Sequence, residues 1–171
     1  MFSRTLFVIL SFVYSISLSA QSIKKMPVAQ SGCSYYGYCE ISFEKSYSQD
    51  SSIVYAGECN RDSISWGLIC VKMVSLPSSL DQAEEILTAY LDYLKTSFAI
   101  QKAAGYGKGH RLNKKENTRG LLDYWEDAEK NNWKVKGWTD GKYIAVLYAF
   151  SQKELTENKV NLFLDGFRMP E

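Results

Sequence analysis

A single histidine, His110, is all the imidazole that the 171 residues offer, which excludes a multi-histidine metal site within one chain. No Gly-x-Ser-x-Gly elbow is present, so the α/β-hydrolase signature is missing. An excess of charge is missing too. With Arg4 set aside from the 20 basic residues, the rest of the chain balances its 19 acidic ones. A balanced chain lacks the concentrated basic face that nucleic acid requires, and it gives no reason to propose an anionic membrane surface. There is no internal repeat, no low-complexity tract and no internal linker. After residue 20 there is no second long apolar run, so no membrane span is expected beyond that point.

The one long apolar run lies at the start. Arg4 precedes Leu6, Phe7, Val8, Ile9, Leu10, Phe12, Val13 and Tyr14, and the small residues Ser17, Ser19 and Ala20 come just before Gln21. This is the pattern of a secretory signal peptide over residues 1–20, cleaved near Ala20. The run is shorter than the roughly 20 apolar residues of a comfortable bilayer span. Cleavage would leave about 150 residues, enough for one domain with its own core. The expected location is the periplasm or the cell exterior. Cys33 is not placed for lipid attachment, because Lys24, Lys25 and Pro27 separate it from the cleavage point.

The four cysteines, Cys33, Cys39, Cys59 and Cys70, cluster early in the mature chain. In an oxidising compartment an even number implies disulfides. Their spacing does not match the short C-x₂₋₄-C pairs of structural zinc sites. Three pairings are open. Cys70 also lies within the apolar run from Gly67 to Val71, so a free buried thiol is an alternative there.

Residues 21–33, with Lys24, Lys25, Pro27 and Gly32, read as an N-terminal tether to a single α+β domain over 34–171. Strand-like runs follow at about 35–44, 52–59 and 63–75, rich in β-branched and aromatic residues and separated by polar groups. Leu80, Ala83, Ile86, Leu87, Tyr90, Leu91, Leu94 and Phe98 recur at three- and four-residue steps, which predicts an amphipathic helix over about 79–101. Strands are expected again at 107–112, 119–128, 132–139 and 142–151. A final helix is expected over about 157–168, with Thr156 as N-cap, Leu155 and Val160 as a hydrophobic staple, and Val160, Phe163, Leu164 and Phe167 as its buried stripe.

Asp140-Gly141 predicts a two-residue hairpin, which sets Trp138 opposite Tyr143 and Val135 opposite Val146. A three-residue loop before it sets Trp125 opposite Val135 and Glu126 opposite Lys134. Leu121, Trp125, Trp133, Val135, Ile144, Val146 and Tyr148 then share the core face. Tyr124, Glu126, Lys134, Lys136, Trp138 and Tyr143 share the other, a mixture of flat aromatics and charges that suits recognition.

The strand beginning near Gly120, the two hairpin strands after it and the closing run Asn161-Leu162-Phe163-Leu164-Asp165-Gly166-Phe167-Arg168 together resemble the PsbP-like family over roughly residues 35–168. That resemblance implies an antiparallel sheet with helices packed on it, and a binding or assembly role rather than catalysis. It carries over no catalytic residue.

Candidate chemistry is sparse. His110 sits in Gly107-Lys108-Gly109-His110-Arg111, a setting for a general base or an anion contact. The competing reading is a surface histidine on a strand edge whose glycines serve a bend. The stretch is not a P-loop, because Gly109 follows Lys108. Asp123, Glu126, Asp127 and Glu129 read as a solvated strand end. Tyr35 and Tyr36, bracketed by Cys33 and Cys39, offer a second aromatic candidate. The chain thus reads as a secreted or periplasmic, non-enzymatic interaction domain without a cofactor. Its expected partner is another envelope or extracellular protein, docked on Tyr124, Lys134, Lys136, Trp138 and Tyr143. The alternative is a small-ligand or glycan-binding module on the same aromatics. A hydrolase centred on His110 comes last, because no nucleophile or metal set accompanies that residue.

Overall fold

The computed structural model describes residues 22–170; the expected signal peptide, residues 1–20, lies outside them. Two short strands, β1 (Lys24–Pro27) and β2 (Ser34–Gly37), form an antiparallel hairpin. The main sheet has eight strands: β3 (Glu44–Tyr47), β4 (Ile53–Arg61), β5 (Ile64–Lys72), β6 (Ile100–Ala103), β7 (Gly107–His110), β8 (Arg119–Asp127), β9 (Asn132–Thr139) and β10 (Tyr143–Ser151). Their order is β3-β4-β5-β10-β9-β8-β6, with β7 pairing β8 as well. All pairings are antiparallel. Two helices, α1 (Leu80–Ser97) and α2 (Glu157–Leu164), complete an α+β domain.

The sheet is buried on both faces. On one, α1 presses Leu87, Leu91 and Leu94 onto Leu121, Trp125, Trp133, Val135, Ile144, Val146 and Tyr148, the set that alternation assigns to the core. Gly137 lies beneath this helix, where a Cβ would meet Leu87 at 2.8 Å. On the other face, α2 and the β1–β2 hairpin bring Tyr35, Val160, Phe163, Leu164 and Phe167 against Trp66, Leu68, Trp138, Ala145 and Leu147. This second core is the reason the meander's aromatic face is not free: Trp138 and Tyr143 are buried.

Helix α1 begins as its sequence suggests. The Ser79 hydroxyl accepts from the Gln82 amide at 3.1 Å, and the Gln82 side chain in turn accepts from the Ser78 amide at 2.7 Å. It ends sooner than the apolar pattern does. The chain turns at Ala99, whose φ is +52°, and Ile100 starts β6 rather than a last helical turn.

Both meander registers differ from expectation by two residues, which preserves the faces and changes the partners. Trp138 pairs with Ala145 and Val135 with Tyr148; Trp125 pairs with Trp133 and Tyr124 with Lys134. The cause at the second hairpin is the Asp140 side chain. Its Oδ1 accepts from the amides of Lys142 and Tyr143, both at 2.8 Å, so the turn widens beyond a two-residue loop and the first pair is Thr139 with Ile144. Residues 24–33 are not a tether. β1 pairs with β2, Val28 is fully buried, and its amide donates to the Cys33 carbonyl at 3.0 Å.

Asp123 and Asp127 do not mark a solvated strand end either. Asp123 is fully buried. It accepts from Trp125 Nε1 at 2.7 Å and from the amides of Gly105 and Tyr124, and it pairs with Lys95. Asp127 accepts from Trp133 Nε1 and Asn131 Nδ2 at 2.8 Å. Each carboxylate holds an indole of the α1-side core, which is how these tryptophans are buried with their N–H satisfied. Glu126, half-buried, pairs with Lys102 and Lys130 rather than with Lys134.

Candidate functional site

The C-terminal helix is short, and its two faces divide cleanly. Val160, Phe163 and Leu164 point into the core, while Asn158, Asn161, Leu162 and Asp165 line the outer surface at helical spacing. Leu162 remains 58% exposed. Facing this stripe is the β1–β2 hairpin, which contributes Tyr36, with Ile23 just ahead of β1. Between them runs a groove of about 760 Å³, lined also by Asn113.

Backbone pairing holds the walls. After α2 the chain lies antiparallel to β2: the Ser34 amide donates to the Arg168 carbonyl at 2.9 Å, the Arg168 amide to the Ser34 carbonyl at 2.7 Å, and the Tyr36 amide to the Gly166 carbonyl at 3.0 Å. Gly166 is required by this approach, because a Cβ would meet the carbonyl oxygens of Leu162 and Phe163 at 2.9 Å and of Tyr36 at 3.0 Å. The Arg168 guanidinium lies 5.1 Å from the Tyr36 ring centroid and donates to the Asp165 and Phe167 carbonyls. Asn113 is placed by buried Leu112, whose amide donates to Thr118 Oγ1 at 2.9 Å. Both Asn113 and Lys114 have positive φ, +52° and +61°, a local backbone cost of the kind that clusters at functional surfaces.

The groove lining mixes polar and apolar side chains. Asp165 pairs with Lys136 at 2.7 Å. The carboxamides of Asn113, Asn158 and Asn161 supply donors and acceptors together. Tyr36 and Arg168 are residue types that dominate binding interfaces, and Leu162 adds exposed apolar area. His110 is not a lining residue. It is half-buried on β7 opposite Gly120, and burial together with the nearby Lys136 charge holds its imidazole below the ordinary value, against an opposing pull from Asp165.

The structure scatters the other aromatic candidates. Trp138 Nε1 donates to the Leu164 carbonyl at 2.8 Å. Tyr143 donates to the Ser31 carbonyl at 3.2 Å, and the Tyr35 hydroxyl accepts from the Ile41 amide at 2.9 Å. These three are core groups, so the expected docking face built on Trp138 and Tyr143 is corrected: α2 and the hairpin occupy it. Lys134 forms an ion pair with Glu157 and lies 5.1 Å from the ring of Tyr124. Tyr124 itself is 46% exposed, beside a separate and smaller hollow of about 360 Å³. Of the sequence candidates, Tyr36 lines the groove and Lys136 reaches its rim. Asn113, Asn158, Asn161, Leu162 and Arg168 were not anticipated. Leu162 carried the one available signal, an apolar residue off the buried stripe of its helix.

Cys39 and Cys59 form a disulfide, Cα to Cα 6.1 Å, and Cys33 and Cys70 are buried thiols. Among the described residues, no three His, Cys, Asp or Glu side chains gather as a metal site, and no helix is long and apolar enough to cross a membrane. No known family model and no curated protein matches this chain.

Proposed function

We propose that the mature chain is a secreted or periplasmic, non-enzymatic interaction domain of PsbP-like type that docks a segment of another envelope or extracellular protein in the groove over α2. The observation that carries this reading is the outward stripe Asn158, Asn161, Leu162 and Asp165 facing Tyr36 and Arg168. It combines an exposed aliphatic centre, a tyrosine–arginine stack and hydrogen-bonding amides, the composition of a protein-recognition patch. A cystine fits the oxidising compartment that the leader implies. Around the groove the titratable groups are engaged with one another, Asp165 with Lys136, which favours recognition over proton transfer.

A photo-crosslinking residue placed at Leu162, and in a control at Tyr124, tests this in the protein's own compartment. One discrete protein adduct from position 162, absent from 124 and lost with Asn158→Ala plus Tyr36→Ala in a folded variant, is the expected result. Equal labelling from both positions, or none from 162, rejects the groove as the docking site. The three carboxamides beside a tyrosine ring favour one second reading, a glycan ligand, since amides pair with vicinal hydroxyls in both directions. Calorimetric heat with soluble oligosaccharides, abolished by Asn158→Ala, would select it.

A further inference from the structure

We propose that Cys33 and Cys70 form a second disulfide, which locks the β1–β2 hairpin to the centre of the sheet. Their sulfur atoms lie 3.8 Å apart, and both residues are buried, at 3% and 0% exposure. Neither backbone is free to drift. Cys70 lies in β5, paired with Tyr55 on one side and Ala145 on the other. The Cys33 amide donates to Ser31 Oγ at 3.0 Å, its carbonyl accepts from Val28, and the Ser31 carbonyl is held by Tyr143. A bond needs the sulfurs about 2.05 Å apart, so they have less than about 2 Å to close. The geometry also continues a pattern. Cys33 and Cys39 bracket β2, while Cys59 and Cys70 stand on the neighbouring strands β4 and β5 and project from the same sheet face. Cys39–Cys59 already ties one end of β2 to the sheet, and Cys33–Cys70 ties the other.

The chemistry is thiol–disulfide exchange with a protein or small-molecule disulfide as oxidant. The Cys33 thiolate attacks one sulfur of that disulfide, forms a mixed disulfide and expels a thiolate. Deprotonated Cys70 then attacks Cys33 Sγ, closes the bridge and expels the second thiolate. Two electrons pass to the oxidant, and the two protons released by the cysteines end on the expelled thiolates. With the hairpin docked, the neighbouring Cys70 thiol draws the titration of Cys33 down, burial opposes this, and the Ser31 hydroxyl assists. Cys70 is shifted the other way, by Cys33 and by burial. The pair is covered once the hairpin is down, so exchange precedes its docking or needs it lifted.

The test is to refold the reduced protein with oxidised glutathione, count thiols after denaturation and map linked peptides. No remaining thiol, with Cys33–Cys70 and Cys39–Cys59 as the two links, is the expected result. Two remaining thiols beside an intact Cys39–Cys59 link, or Cys33 joined to Cys39 or Cys59, overturns the pairing. Hydrogen exchange tests the locking role. The Tyr36 amide in the oxidised protein should exchange at least about tenfold more slowly than in a folded Cys33→Ala, Cys70→Ala variant, and the melting temperature should be higher by roughly 5–10 °C. The gain is modest because the 37-residue separation encloses the 20-residue one already closed by Cys39–Cys59. Equal exchange in both proteins overturns the lock.

Discussion

Trp138 and Leu164 are joined by a hydrogen bond that crosses from the sheet to the last turn of α2: the indole N–H donates to the backbone carbonyl at 2.8 Å, out of contact with water. A helix leaves its final carbonyls without partners of its own. Here a β9 side chain supplies one, and in doing so fixes the helix that forms one wall of the groove.

Replacing that indole tests the contact. Trp138→Phe keeps most of the apolar volume and removes the donor, so the cost should be that of a buried unpaired carbonyl, about 1–3 kcal/mol. Urea unfolding measures it. A loss below about 0.5 kcal/mol would mean that the carbonyl finds another partner and that α2 does not depend on Trp138.

Asp127 should make the acid limb of the stability curve steeper. Burial pushes its carboxyl up, but the hydrogen bonds from Asn131 and Trp133 and the amides of Asn131 and Glu129 outweigh that, and the folded-state value is lowered. A lowered carboxyl contributes stability that is fully present above the unfolded-chain value, about 3.9, and is lost as the pH falls through the folded-state value. Asp127→Asn should cost about 1–3 kcal/mol at pH 7 and flatten the decline on acidification. Urea midpoints measured from pH 7 downwards decide the matter, and parallel curves for the two proteins would count against this role.

Gly67 should tolerate no side chain while Tyr148 is present. The two are cross-strand partners, and a Cβ on Gly67 would meet Tyr148 Cζ at 2.0 Å. Gly67→Ala should destabilise by about 1–3 kcal/mol through overpacking. Combining it with Tyr148→Leu should cost less than the two single changes added together, because the ring that clashes has gone. Strict additivity in that cycle would show that the ring moves aside at no cost.

Much of the fold was legible because alternation and helical periodicity report which way a side chain points. The α1 face was readable residue by residue, from Leu121 and Trp125 to Val146 and Tyr148. Partner identity was less so. A shift of two residues leaves every side chain on its face, so no hydrophobic pattern could separate the pairing of Val135 with Val146 from the observed pairing with Tyr148. The choice was made by the Asp140 carboxylate capping its own turn. The site was hardly legible. Trp138 and Tyr143 look exposed on a meander considered alone, and only the return of α2 and the hairpin covers them. Asn113, Asn158 and Arg168 are ordinary surface residue types, and Arg168 meets Tyr36 only through pairing between chain segments more than a hundred residues apart in sequence.

That pairing has a consequence for how the molecule is made. The outer edge of β2 is closed by the last residues of the chain, the Ser34 amide donating to Arg168 and the Tyr36 amide to Gly166. A chain made from its N-terminal end therefore leaves that edge of β2 unpaired until almost the whole polypeptide has followed. During that interval Tyr35 and Cys33 are open to solvent and to any catalyst of thiol exchange. A chain ending short of Gly166 would stay in that open condition, so the last few residues decide whether the first hairpin is seated.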